Sequence, residues 1–202
     1  MIKLFGNPVS TCTRKVLFTL NETNTPYEMN VVDLSKGEHK AEPHLSRQPF
    51  GKVPALDDDG FAFYESRAMA RYIDEKAGYK LTPKDIKQRA LMEQWISVES
   101  ANFTPPAMTF IYDAIFKAPQ KPEDLEKSGK QLDACCAILE KALTGKTWLV
   151  GEQMTLAEVS IAPYLDYGMQ TDAKQIFAKY PQLMAWWNRI SERPAWRKAT
   201  GR

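Results

Sequence analysis

Apolar positions along the first 78 residues change period several times, and each change marks an element. "IKLFG" (2–6) reads as a strand, and Val16, Leu17 and Leu20 recur at helical spacing between residues 10 and 22. "YEMNVV" (27–32) reads as a second strand. A polar loop, "DLSKGEHKAEP", leads to a short helical piece near 43–47. "KVPALDDDGFAFYE" then reads as a hairpin, two short runs around an Asp-Gly turn. Ser66 starts another helix, with Ala68, Met69, Tyr72 and Ile73 on one face and Gly78 after its end.

From about residue 83 the pattern is almost wholly helical. One long stretch runs from Lys84 past Trp95 toward Phe103, where Pro105 and Pro106 must interrupt or kink it. Another spans roughly Pro122 to Leu143, and Thr155 with Glu158 forms a T-x-x-E capping box before an apolar run. Shorter helices follow around 181–191 and after Pro194. The order β-α-β-α-β-β-α in the first part matches a thioredoxin-like layout, a small mixed sheet with helices on both faces. The expected organisation is therefore an α/β thioredoxin-like domain over 1–78, a linker over 79–85 and an all-α domain over 86–202.

Composition narrows the classes. The 202 residues are 44% apolar and 26% charged, as in an ordinary globular protein. A net charge of +2 gives no electrostatic argument for a nucleic-acid partner. The N-terminal "MIKLFGNPVS" lacks the apolar core of a signal peptide, and no apolar run is long enough to span a membrane. The three cysteines form no zinc-like spacing, which points to a reducing cytoplasm and no metal. With only His39 and His44 present and no G-x-S-x-G, a Ser-His-Asp triad is poorly supported. P-loop and dinucleotide glycine patterns are missing as well.

Candidate chemistry gathers in four short segments: "STCTRK" (10–15), "GEHK" (37–40), "PFGKVPAL" (49–56) and "ESRA" (65–68). In order and at this spacing they resemble the cytosolic glutathione transferases, most closely the serine-dependent phi-like type. The resemblance extends through "GEQMTLAEVSIAP" and "AWWNRISERPAW" in the helical half. It implies the glutathione transferase fold, glutathione as co-substrate and a small hydrophobic electrophile as its partner. It also implies a homodimer.

Residue by residue, the resemblance makes Ser10 the catalytic serine, donating a hydrogen bond to the glutathione sulfur. A free thiol has a pKa of about 8.5, and lowering it by about two units requires roughly 2.7 kcal/mol. A hydrogen bond to a charged group supplies about 1.5–3 kcal/mol and a helix N-terminus about 0.3–1. No general base is then required. By the same resemblance the γ-glutamyl carboxylate docks at Ser66, and Glu65 faces its amino group. Val53, before a cis Pro54, pairs with the cysteinyl backbone, while His39, Lys40 and Lys52 lie toward the glycyl carboxylate. Phi-like members usually carry glutamine where this chain has Lys52, which leaves the class open. Arg14 either adds positive potential near the thiolate or pairs with the helical domain.

The electrophile is expected beside the thiolate in a mostly apolar pocket. Val9, Thr11, Leu34, Phe103, Met108 and Phe110 are its candidate lining, although an aromatic stripe is also what a core looks like. Nothing in these residues chooses among aryl halides, enals, isothiocyanates and peroxides. Two rival readings stand beside this one: a thiol transferase using Cys12, and a non-catalytic binding protein on the same fold. Phe50, before "G-x-V-P", is expected either to anchor the dimer in an apolar pocket of the partner or to fold into its own core.

Overall fold

Strand β1 (Ile2–Gly6) alternates buried and exposed side chains in the computed structural model, which describes residues 1–202. It lies inside a four-stranded sheet ordered β2-β1-β3-β4, with β2 at Tyr27–Val31, β3 at Ala55–Asp58 and β4 at Phe61–Tyr64. β1 runs parallel to β2 and antiparallel to β3, and β3 and β4 form the hairpin. Its turn residues Asp59 and Gly60 both have positive φ, which suits a two-residue connection between right-twisted strands. Helices α1 (Thr11–Glu22) and α2 (Ser66–Lys76) pack on each other. Leu4, Phe18, Leu20, Met69 and Ile73 form the fully buried centre of this unit. Between β2 and β3 the helical content differs from expectation. A 3-10 turn occupies Glu38–Lys40, and 43–47 is a run of turns rather than a helix.

The chain divides into two compact units, Met1–Thr82 with Pro194–Arg202, and Pro83–Arg193. The last helix, here α9 (Pro194–Thr200), thus belongs to the α/β unit and not to the helical domain expected over 86–202. The reason is packing. Trp196 is 1% exposed and meets the Phe18 ring edge-on at 5.1 Å, and Asn21 Nδ2 donates to the Ala195 carbonyl at 3.3 Å.

In the helical unit, α3 (Ile86–Val98) passes through a π turn (Glu99–Phe103) into α4 (Thr104–Ala114). The turn absorbs Pro105 and Pro106. Wider i→i+5 bonding suspends the normal ladder where two successive N–H donors are missing. The buried Glu99 carboxylate accepts the Thr104 hydroxyl across this turn. α5 covers Pro122–Leu143, α6 Leu156–Gly168, α7 Lys174–Phe177 and α8 Pro181–Ser191. α7, a single turn, has no periodicity long enough to read from sequence.

α6 is buried along its whole length and begins with the expected capping box. Glu158 Oε2 accepts from the Thr155 N–H at 2.9 Å, and Oε1 accepts from the Leu149 N–H at 2.8 Å and from Trp186 Nε1 at 3.4 Å. Burial pushes the Glu158 carboxyl above its ordinary range, and these donors oppose the shift. No helix is long and apolar enough to cross a membrane.

Candidate functional site

Ser10 caps α1. Its Oγ accepts from the Thr13 N–H at 3.3 Å, and its own proton engages no acceptor in the chain. The loop that carries it is held on every side. Asn7 N–H donates to Thr13 Oγ1 at 3.3 Å, and Asn7 Oδ1 accepts from the Val9 N–H at 3.1 Å. Asn7 Nδ2 donates to the Val32 carbonyl at 3.0 Å, and Arg14 Nε donates to the Pro8 carbonyl at 2.8 Å. Arg14 is buried and straps this loop to the first turn of α1.

The sheet brings three other segments to the same end. β1 finishes at Gly6, β3 starts at Ala55, and Ala55 pairs with Tyr64 at the end of β4. Pro54 and Glu65 are thereby neighbours across the hairpin. Gly6 allows the close approach: an added Cβ would meet Thr13 Oγ1 at 2.8 Å and Pro54 Cβ at 3.3 Å. The Val53–Pro54 peptide is cis. Gly51, at φ +60°, seats its turn against the His39 carbonyl and Lys40, so the 37–40 loop lies beside the 51–54 segment. Ser10, His39, Lys40, Val53, Pro54, Glu65 and Ser66 therefore share one end of the sheet, with Lys52 exposed at its rim.

Glu65 has φ +77° and ψ +105°, costly for a residue with a Cβ. Ser66 is the first helical residue of α2, where the sequence starts the helix, and Glu65 holds the cap position. The Met69 N–H takes the Glu65 carbonyl, which leaves the Ser66–Ala68 amides without intrahelical acceptors at a helix N-terminus.

The residues expected to line an electrophile pocket divide between the two units. Val9 is exposed, Leu34 is half-buried and Thr11 is buried. In the helical unit Phe103 is fully buried and stacks on Phe177 at 6.2 Å, and Phe110 packs its ring tip against Gly129 of α5. Phe103 therefore serves the bundle core, whereas Phe110 is half-buried and also borders a cavity of about 270 Å³ with Asp113, Leu125 and Gln170. Met108 lies on another face of α4, the one that carries the exposed Tyr112 and leads on to Phe116. Phe116 meets Tyr112 at 5.9 Å and Tyr167 at 5.9 Å. The i, i+4 spacing of Tyr112 and Phe116 is the sequence signal for this aromatic pair.

Residues 4–83 match the family model of the glutathione S-transferase N-terminal domain, and 103–194 that of the C-terminal domain. A glutathione S-transferase of Hyoscyamus muticus is 35% identical over 209 residues, spanning 98% of this chain and 97% of its own. One from Arabidopsis thaliana is 36% identical over 211 residues, spanning 98% of this chain and 94% of its own. The chain belongs to the glutathione S-transferase family.

A crystal structure of a Populus trichocarpa glutathione transferase matches with TM-score 0.94 at 35% identity, covering 100% of this chain and 98% of that one. The sequence relatives include plant F-type enzymes, in line with the phi-like resemblance of the four segments taken together. The chain is a glutathione transferase on the thioredoxin-like plus helical fold of that family. Gln48 and His44, buried in the turns between β2 and β3, escaped the sequence reading because a glutamine and a histidine in a polar loop look like solvated surface.

Proposed function

We propose that this glutathione transferase holds glutathione as a thiolate on the Ser10 hydroxyl and delivers the sulfur to a small hydrophobic electrophile. One observation carries the reading: Ser10 Oγ accepts from a backbone N–H while its proton remains available, so capping the helix and donating to sulfur are compatible. The thiol proton leaves to solvent, the sulfur forms a bond to the electrophilic carbon, and for an aryl halide the halide departs. The Ser66–Ala68 amides and the Ser66 hydroxyl receive the γ-glutamyl carboxylate, and Glu65 the amino group. Val53 pairs with the cysteinyl backbone as an added strand, and His39, Lys40 and Lys52 meet the glycyl carboxylate. In support, a glutathione S-transferase-I 26% identical to this chain, with TM-score 0.91, was solved with lactoylglutathione bound. Val9 and Leu34 are the apolar side chains that the α/β unit offers to the electrophile.

The same proposal includes a two-fold homodimer. Phe50 is 67% exposed at the tip of its turn, with only an edge contact to Tyr64 at 5.8 Å, so the alternative of folding into its own core has no support. The helical unit carries a cavity of about 420 Å³ bordered by Val98, Ala101, Pro105, Ala134 and Ile138, large enough for a phenyl ring. Two measurements test the whole reading: retention on immobilised glutathione, and turnover with a panel of aryl halide, enal, isothiocyanate and peroxide. Retention together with turnover of one panel member is expected, and failure of both would reject it.

A further inference from the structure

His44 and Gln48 are each 3% exposed, and both are committed to the backbone of Lys52. Lys52 N–H donates to Gln48 Oε1 at 3.1 Å, and His44 Nε2 lies 2.6 Å from the Lys52 carbonyl. A carbonyl only accepts, so the ring proton sits on Nε2. The β1–β3 ladder begins at Ala55, which means that these side chains, not the sheet, set the backbone just before it. The Gly51 N–H closes the turn on the Gln48 carbonyl at 3.0 Å, completing a bracket from 48 to 52.

The Lys52 carbonyl and the Val53 N–H belong to one peptide unit. That unit is planar, so a bond that fixes the direction of the carbonyl also fixes the direction of the N–H on its opposite side. We infer that His44, with Gln48, is a positioning residue for glutathione: it aims the Val53 N–H at the cysteinyl backbone. This rests on the proposed pairing of Val53 with the tripeptide. Without the imidazole, the part-buried Lys52 carbonyl loses its donor and the peptide is free to rotate toward another. The same ring borders a cavity of about 400 Å³ with Phe5, Val32, Pro43 and Arg47.

The test uses the full chain with glutathione and 1-chloro-2,4-dinitrobenzene. His44→Phe keeps a ring and removes the donor. It should raise the dissociation and half-saturation constants for glutathione about tenfold, with kcat at saturating glutathione within about twofold of the parent. His44→Gln, whose amide reaches the position of Nε2, should restore most of the affinity. Gln48→Leu should show the same split from the other side of the bracket, and it carries the test alone if His44→Phe fails to fold. Unchanged glutathione affinity in the folded variants, or a His44→Gln variant as weak as His44→Phe, would overturn the inference. A parent that binds no glutathione by calorimetry would overturn the functional reading itself, whereas a binding parent with unaltered variants overturns only the bracket.

Discussion

Replacing Ser10 with alanine separates thiolate stabilisation from everything else the loop does. The backbone around it is tied by Asn7, Thr13 and Arg14, none of which depends on the serine hydroxyl, so the loop should keep its path. The capping bond is long at 3.3 Å, which puts its loss toward the low end of about 0.5–2 kcal/mol. The bond to sulfur is worth about 1.5–3 kcal/mol, or roughly 1–2 pKa units of the bound thiol. If the parent holds that thiol near 6.5, the variant should hold it near 8, about 7- to 80-fold less thiolate at pH 6.5. At pH 8.5 the deficit shrinks to about threefold or less. Conjugation of 1-chloro-2,4-dinitrobenzene across this range, with the ultraviolet absorbance of bound thiolate as a second readout, measures the shift. Calorimetry should show glutathione affinity changed little. An acid limb that does not move would refute the assignment. A loss equal at every pH would attribute the effect to a damaged loop.

The remaining predictions concern the tripeptide, the rival thiol, the dimer and acid stability. Ser66→Ala and Glu65→Ala should each raise half-saturation for glutathione about tenfold or more, since each removes a bond to a charged group; full affinity in both by calorimetry would mean the tripeptide binds elsewhere. Cys12→Ser should leave conjugation within about twofold of the parent, and loss of a disulfide-exchange activity there but not in Ser10→Ala would favour the thiol transferase. Phe50→Ala should raise the dimer dissociation constant at least about tenfold by sedimentation while helical circular dichroism is kept; a parent that is monomeric at micromolar concentration would reject the dimer. Lys76, then Tyr72, hold the buried Asp58 carboxyl below its ordinary range. Its stabilisation is therefore full above the unfolded pKa of about 3.9 and is lost as pH falls through the lower folded value. Asp58→Asn should melt below the parent at pH 7, and that gap should close as pH falls below about 4; a constant gap would contradict the ion pair.

Local chemistry determined much of this protein from sequence alone. Hydrophobic period fixes element type within a few residues, so the strands, α1, α2, α5 and the Thr155–Glu158 start of α6 are all legible in one dimension. Four short motifs in order, "STCTRK", "GEHK", "PFGKVPAL" and "ESRA", carry the family and therefore the fold. Tertiary structure decided whatever depends on which face meets which neighbour. Phe103 and Met108 look equivalent in sequence, yet Phe103, at the π turn, is fully buried against Phe177 while Met108 stays half-buried on α4. Trp196 seats α9 on the α/β unit because Phe18, far away in the chain, offers the apolar surface it needs. Glu65 takes its strained cap position at the junction of β4, paired with β3 through Ala55 and Tyr64, and α2. His44 and Gln48 are unremarkable loop residues until folding buries them against Lys52, for no local pattern encodes a side chain reaching the backbone of a turn formed later in the chain.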